Sequence, residues 1–202
     1  MDNIYQNQPN NVNSIHKCKN DSEKENTQKR KIIEKISELF TEICDENKSE
    51  LNPNNTNTLI KPFISKQIPS ISIKDYLTRL YKYSKINNST IVLILIYIDK
   101  ICNFNNFKIS YFNIHKLILA SMLIAIKYNE DENYSLSFYS KLGGVSKNEL
   151  SNLEYQFLVL IHCEAYIKEE LFIKYNEYLT SSDSDEEEGE EEEKEEEEDE
   201  SV

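Results

Sequence analysis

Side chains that could do chemistry together are scarce in this sequence. Ser146 and Glu149 stand at a nucleophile-to-acid spacing, but Ser-Lys-Asn-Glu ahead of an apolar run is also a helix capping box, and that explains it better. Asp75 and Asp99 would make an acid pair, except that each has a Lys or Arg neighbour and suits a helix surface. His16, His115 and His162 do not gather with acids at ligand spacing, and Cys18, Cys44, Cys102 and Cys163 form no C-x-x-C. No metal or cofactor is therefore expected, and the cysteines read as reduced thiols of an intracellular protein. Three glycines, of which only Gly143 and Gly144 adjoin, cannot write a phosphate loop or a dinucleotide fingerprint. An enzyme is not expected.

What remains is a set of charges inside otherwise apolar helical patterns. Asp99 closes IVLILIYIDK, Lys127 closes ILASMLIAIK, Glu154 sits within LSNLEYQFLVLI and Arg79 within DYLTRLYKY. A charge on a core helix is costly unless it is paired or presented to a partner. Solvation at a helix end for Lys127 and an exposed helix face for Glu154 are the plainer alternatives, and residue chemistry leaves both open.

The elements that must position these charges are helices. Ile32, Ile33, Ile36, Leu39, Phe40 and Ile43 form one amphipathic stripe, and Asn47 to Thr58, with Pro53, reads as a loop. Ser72 and Asp75 cap a helix whose face is Ile73, Tyr76, Leu77, Leu80 and Tyr83. The run from Ser89 to about Cys102 is too long and unpunctuated for a strand and suits a buried helix. Phe112 to Tyr128 is a further long helix whose small residues Ala120, Ser121 and Ala125 fit a central position. His115 lies at the core edge of that helix. A short helix from Ser135 to Lys141 ends at Gly143-Gly144, a helix opens at Ser146, and a last one runs from Lys168 to Leu179.

The sequence holds 36 acidic and 23 basic side chains, a net charge of -13. Asp183 to Glu200 alone carry 15 acids against Lys194, so the rest, with 21 acidic and 22 basic residues, stands at +1. A basic nucleic-acid-binding domain is not expected from that balance. The longest apolar run, Ile91 to Ile98, is far short of the ~20 residues that cross a bilayer, so no membrane span is expected. The expected organisation is a disordered segment 1–28, a helical domain 29–179 and a disordered acidic tail 180–202 held open by its own repulsion. Within the domain, an N-terminal helix covers 29–46, a core about 69–162 and a last helix 168–179.

In that order, ISIKDYLTRLYKY, IVLILIYIDKI, FNIHKLILASMLIAIKYNED and YSLSFYSKLGGVSKNELSNLEYQFLVLI resemble the cyclin box, most nearly that of the P/U type. The motifs are Ile71 to Arg79, Tyr97-Ile98-Asp99, Asn113 to Lys116, Ala125 to Lys127, and GGV-x-x-x-EL-x-x-LE-x-x-FL from Gly143 to Leu158. The resemblance implies an all-α, five-helix box with flanking N- and C-terminal helices and disordered tails, in a regulatory subunit that binds and activates a cyclin-dependent serine/threonine kinase. It implies kinase contacts at Lys127 and Glu154, and structural signature positions at Arg79 and Asp99 that act as partners inside the box. It implies no direct contact with nucleic acid or membrane, and a place in the nucleus or cytoplasm. The first box helix lacks the MRAIL form used elsewhere in the family for substrate docking. A non-kinase helical adaptor, or a chaperone-like protein working through its acidic tail, is the alternative.

Overall fold

The structure, a computed structural model, describes residues 12–49 and 59–181, with side chains described for 27–48 and 59–181. Among these residues seven α-helices follow one another: α1 (Val12–Glu46), α2 (Ile73–Ser84), α3 (Asn88–Asn105), α4 (Ile114–Asn129), α5 (Leu136–Gly143), α6 (Lys147–Leu160) and α7 (Glu169–Thr180). No strand occurs among the described residues. Helices α2 to α6 form the expected five-helix box, flanked by α1 and α7.

The sequence makes α4 its axis. From Leu117 to Ile126 every residue is buried, so this helix has no solvent face between its ends. The small side chains Ala120, Ser121 and Ala125 let neighbours come close, and α2, α3, α5, α6 and a 3-10 turn at Lys61–Phe63 pack around it. Helix α3 is almost as enclosed, with Thr90 to Ile98 buried without a break. Continuous burial explains why neither helix shows the one-sided stripe of α1, where Ile32, Ile33, Ile36 and Phe40 are buried and Glu38 and Glu42 exposed.

Helix starts follow the side-chain caps. Ser72 Oγ accepts from the Asp75 N–H at 3.0 Å, Ser135 Oγ from the Phe138 N–H at 3.3 Å and Ser146 Oγ from the Glu149 N–H at 3.1 Å. Glu149 does not complete a reciprocal box, because its carboxylate reaches Lys116 Nζ at 3.0 Å on α4.

Three expectations need adjusting. The first helix begins at Val12, not at 29, so segment 12–28, expected to be disordered, is helical. That stretch contains no Gly or Pro to stop it, so a helix nucleated by the apolar stripe beyond it can run back through Lys17, Lys19, Glu23, Lys24, Glu25 and Gln28, its good helix formers. The loop expected over 47–58 opens with a 3-10 turn at Asn47–Ser49, and its residues 50–58 lie outside the described residues. Helix α5 runs two residues past Lys141. The segments 1–11 and 182–202, both expected to be disordered, also lie outside the described residues.

The adjacent glycines divide their work. Gly144 adopts φ 73°, the left-handed conformation that ends α5, and the Val145 N–H closes back on the Ser140 carbonyl at 3.0 Å. Gly143 is still helical, and a Cβ there would lie 2.2 Å from Leu119 Cδ2 on the buried axis. An ordinary helix-interior Gly→Ala change stabilises by about 0.5–1 kcal/mol. Gly143→Ala is expected to destabilise instead, by about 1–3 kcal/mol, because Leu119 has no room to retreat. Chemical denaturation of the variant decides the sign; stabilisation would mean that α5 does not approach α4 this closely.

Candidate functional site

Lys127 and Glu154 mark where the two inner helices leave the core. Helix α4 stays buried through Ile126 and reaches solvent at Lys127, in its last turn, where a cation also meets the negative end of the helix dipole. Helix α6 packs against α4 through Leu150, Leu153 and Phe157, and Glu154 stands beside that seam. Lys127 Nζ donates to Glu154 Oε1, an ion pair that neither residue's local sequence announces. The Lys127 side chain is 50% exposed and that of Glu154 15%. Their neighbours in sequence, Tyr128 and Tyr155, are both exposed, at 47% and 63%. A fixed pair of opposite charges with an exposed tyrosine next to each member in sequence suits a protein partner, since aromatic side chains concentrate at interfaces.

The base of this surface is tied down by a residue that sequence reasoning missed. Glu130, just past α4, accepts from the Asn87 N–H at 2.8 Å and from Asn87 Nδ2 at 2.9 Å, and also takes the Thr90 hydroxyl. It therefore fastens the start of α3 to the end of α4. Nothing in YNEDEN distinguishes Glu130 from its acidic neighbours before the chain is folded.

Arg79 and Asp99, expected to be partners, do not meet. Arg79 lies in a cleft between α2, α4 and the α5–α6 turn, its guanidinium 5.2 Å from the centre of the Tyr76 ring. Its Nε is buried without a hydrogen-bond acceptor, and no carboxylate pairs with it among the described residues. In the same cleft His115 is 7% exposed and donates from Nε2 to the Ile71 carbonyl at 3.0 Å, which leaves Nδ1 as an acceptor without a partner. Burial lowers the pKa of this imidazole and Arg79 adds to the effect, while the Ile71 carbonyl works the other way.

Asp99 lines a different cleft, beside α7. Its Oδ2 accepts from the Tyr175 hydroxyl at 2.7 Å and from Asn103 Nδ2 at 2.8 Å, so it holds α7 to α3. Burial, then the bond to Asp99, raises the Tyr175 pKa. The neighbouring signature residue Tyr97 works alike, donating to the Ala165 carbonyl at 2.7 Å in the connection before α7. The motif Tyr97-Ile98-Asp99 thus secures the C-terminal helix, and an internal Arg–Asp pair is replaced by a hydroxyl–carboxylate latch. Among the described residues, no group of three or more His, Cys, Asp or Glu could hold a metal ion, and no helix is long and apolar enough to cross a membrane.

Two outcomes follow from these contacts. Asp99→Ala and Tyr175→Phe should each lower stability by about 1.5–3 kcal/mol, the scale of a hydrogen bond to a charged group, and not the ~3–5 kcal/mol of a broken buried ion pair. A double-mutant cycle by urea denaturation should show them coupled; additive losses would mean that the latch does not form. For His115, the unfolded chain binds a proton that the folded chain resists, so stability should fall as the pH drops through about 6.5. Melting curves between about pH 7.5 and pH 5 should flatten in His115→Gln. An equal slope in the variant would assign the dependence elsewhere.

Comparison with known proteins agrees with this architecture. A cyclin family model matches residues 6–165. Cyclin-U2-1 of Arabidopsis thaliana is 38% identical over 114 residues, 56% of this chain and 51% of its own. PHO85 cyclin-like protein psl1 of Schizosaccharomyces pombe is 32% identical over 151 residues, 74% of this chain and 62% of its own. PHO85 cyclin-7 of Saccharomyces cerevisiae is 31% identical over 158 residues, 72% of this chain and 54% of its own. The chain thus covers about half to just under two-thirds of the length of these relatives. With a five-helix box built on an enclosed fourth helix, and a family match over most of its length, the chain belongs to the cyclin family and resembles its P/U-type members.

Proposed function

We propose that this chain is the regulatory subunit of a cyclin-dependent serine/threonine kinase, and that Lys127 and Glu154 are its kinase-contacting residues. The observation that carries the reading is the Lys127–Glu154 pair, its Lys half in water and exposed Tyr128 and Tyr155 next to its members in sequence, at the rim of helices that are otherwise core. Relatives named PHO85 cyclins point to a kinase partner of that kind. The working unit is residues 29–179, with α2 to α6 as its rigid centre. It acts inside the cell, in nucleus or cytoplasm, without contacting nucleic acid.

The mechanism asks no chemistry of the bundle. A kinase is active when its C-helix is placed so that a Lys–Glu ion pair orients the ATP phosphates. A rigid surface that binds only that placement shifts the population toward it by its difference in affinity for the two states. Rigidity is what α4 supplies, since the charges it presents are anchored in a packed interior. Arg79 and Asp99 serve the box from within, each through its own contacts.

The expected outcome separates binding from stability. An ion pair whose Lys is half in water contributes only about 0–1 kcal/mol to folding, and removing both partners leaves no charge unpaired, so Lys127→Ala with Glu154→Ala should leave the melting temperature nearly unchanged. Binding to a PHO85-class kinase should weaken by about tenfold or more, because both charges become enclosed in the complex. The exchanged variant Lys127→Glu with Glu154→Lys sharpens the test. It keeps the intramolecular pair but reverses what the kinase meets, so it should fold normally and still bind poorly. Affinity restored by the exchange would show that the pair acts only within the bundle.

A further inference from the structure

A cleft of about 830 Å³ opens between α1 and α2, lined by neither Lys127 nor Glu154. Among the described residues Lys29, Arg30, Lys74, Lys82 and Lys85 line it, with Glu34 as the one carboxylate. These described residues sum to +4, whereas all of the chain outside Asp183 to Glu200 amounts to +1. Glu34 is itself taken up by Lys74, which lowers the carboxyl pKa through the hydrogen bond and the nearby charge, so it does little to offset the other cations. Arg30, Lys82 and Lys85 are exposed, and the floor between them includes the buried Ile33 and Ile86. Like charges gathered so closely repel one another and favour an anionic occupant.

The strongest anion at hand is this chain's own C-terminal segment. Helix α7 ends against α1, where Leu179, Thr180 and Ser181 adjoin Lys31 and Lys35, and Lys35 Nζ donates to Ser181 Oγ at 3.3 Å. The first acid of the run, Asp183, is two residues further on. Glu34 lines both this junction and the basic cleft, so the two are continuous across α1. Along that helix, Lys35 and Lys29 are separated by ~9 Å. Three extended residues cover such a distance at ~3.3 Å each, and the acidic run is long enough to lie along the whole cleft. Tethering so near the target corresponds to an effective concentration in the millimolar range.

We propose that the acidic segment Asp183–Glu200 docks into the basic cleft between α1 and α2 of its own chain. Charge complementarity, a starting point beside the cleft and ample length favour this occupant over an acidic segment of another protein, which would have to displace a tethered competitor. Docking of this kind neutralises the one strongly cationic surface described and keeps other polyanions from it. It does not depend on the kinase reading, since neither Lys127 nor Glu154 lines the cleft.

Carbodiimide cross-linking of the full chain tests it, because the reagent joins a carboxylate to an amine only where they touch. Products are mapped by mass spectrometry at about 0.05 M and about 0.5 M salt, between which the screening length falls about threefold and the attraction should fail. Links from Asp183–Glu200 to Lys82 and Lys85 within single chains should exceed severalfold those to Lys100, Lys108, Lys141 and Lys147, and should fade at the higher salt. The variant Arg30→Glu with Thr78→Glu lowers the cleft from +4 to +1 while keeping its reactive lysines. Both positions are exposed, and an unchanged melting curve checks that the variant folds. The same links should drop severalfold in it. Links spread evenly over all lysines, links found only between chains, or links undiminished in the variant would each overturn the proposal.

Discussion

The structure depends on the enclosure of α4. A helix that is buried from Leu117 to Ile126 offers nothing to water, so every other element of the box is obliged to cover part of it. That obligation fixes the close approach of α5, where Gly143 rather than a larger residue meets Leu119. It brings α6 alongside, with Phe157 edge-on to Phe63 of the preceding 3-10 turn. It also decides where a charge can appear. Lys127 is the first residue at which the axis emerges, and Glu154 is the group the covering helix sets beside it.

The position of these two charges is therefore a product of packing as much as of chemistry. Solvation at a helix end, the plainer account of Lys127, is correct as far as it goes, because its side chain is half in water. What that account omits is the partner. Glu154 is drawn largely out of water, and its carboxylate is satisfied by Lys127 rather than left facing solvent. A pair that is already assembled in the free chain has less ordering to lose when it meets another protein.

Much of the fold was legible in the sequence because the signals are local. Ser72, Ser135 and Ser146 announce helix starts, Gly144 a helix end, and the unbroken run Ile91 to Ile98 a helix without an exposed side. What could not be read depends on which distant side chains meet. Tyr175 is one tyrosine of 13, and only the return of α7 against α3 selects it as the partner of Asp99. Arg79 and Asp99 share a pattern of charge within an apolar helix, yet α2 turns one toward His115 and α3 turns the other toward α7. The early start of α1 was hidden for another reason. Apolar periodicity reports burial, and a helix can run on without it when its residues merely favour helical backbone.

Helix α7 has a different standing from the rest. Leu179 is its one buried residue, Leu171, Ile173 and Tyr178 are exposed, and it is held by the Asp99 latch, by partly covered Phe172 and Tyr175, and by the packing of its end on α1. So thinly anchored a helix opens in a small, separate step, while α4 surrenders its amides only when the whole molecule unfolds. Amide hydrogen exchange along the chain would then follow distance from the axis rather than order in sequence. The C-terminal helix would trade its protons first, and the centre of the box would keep them until global unfolding.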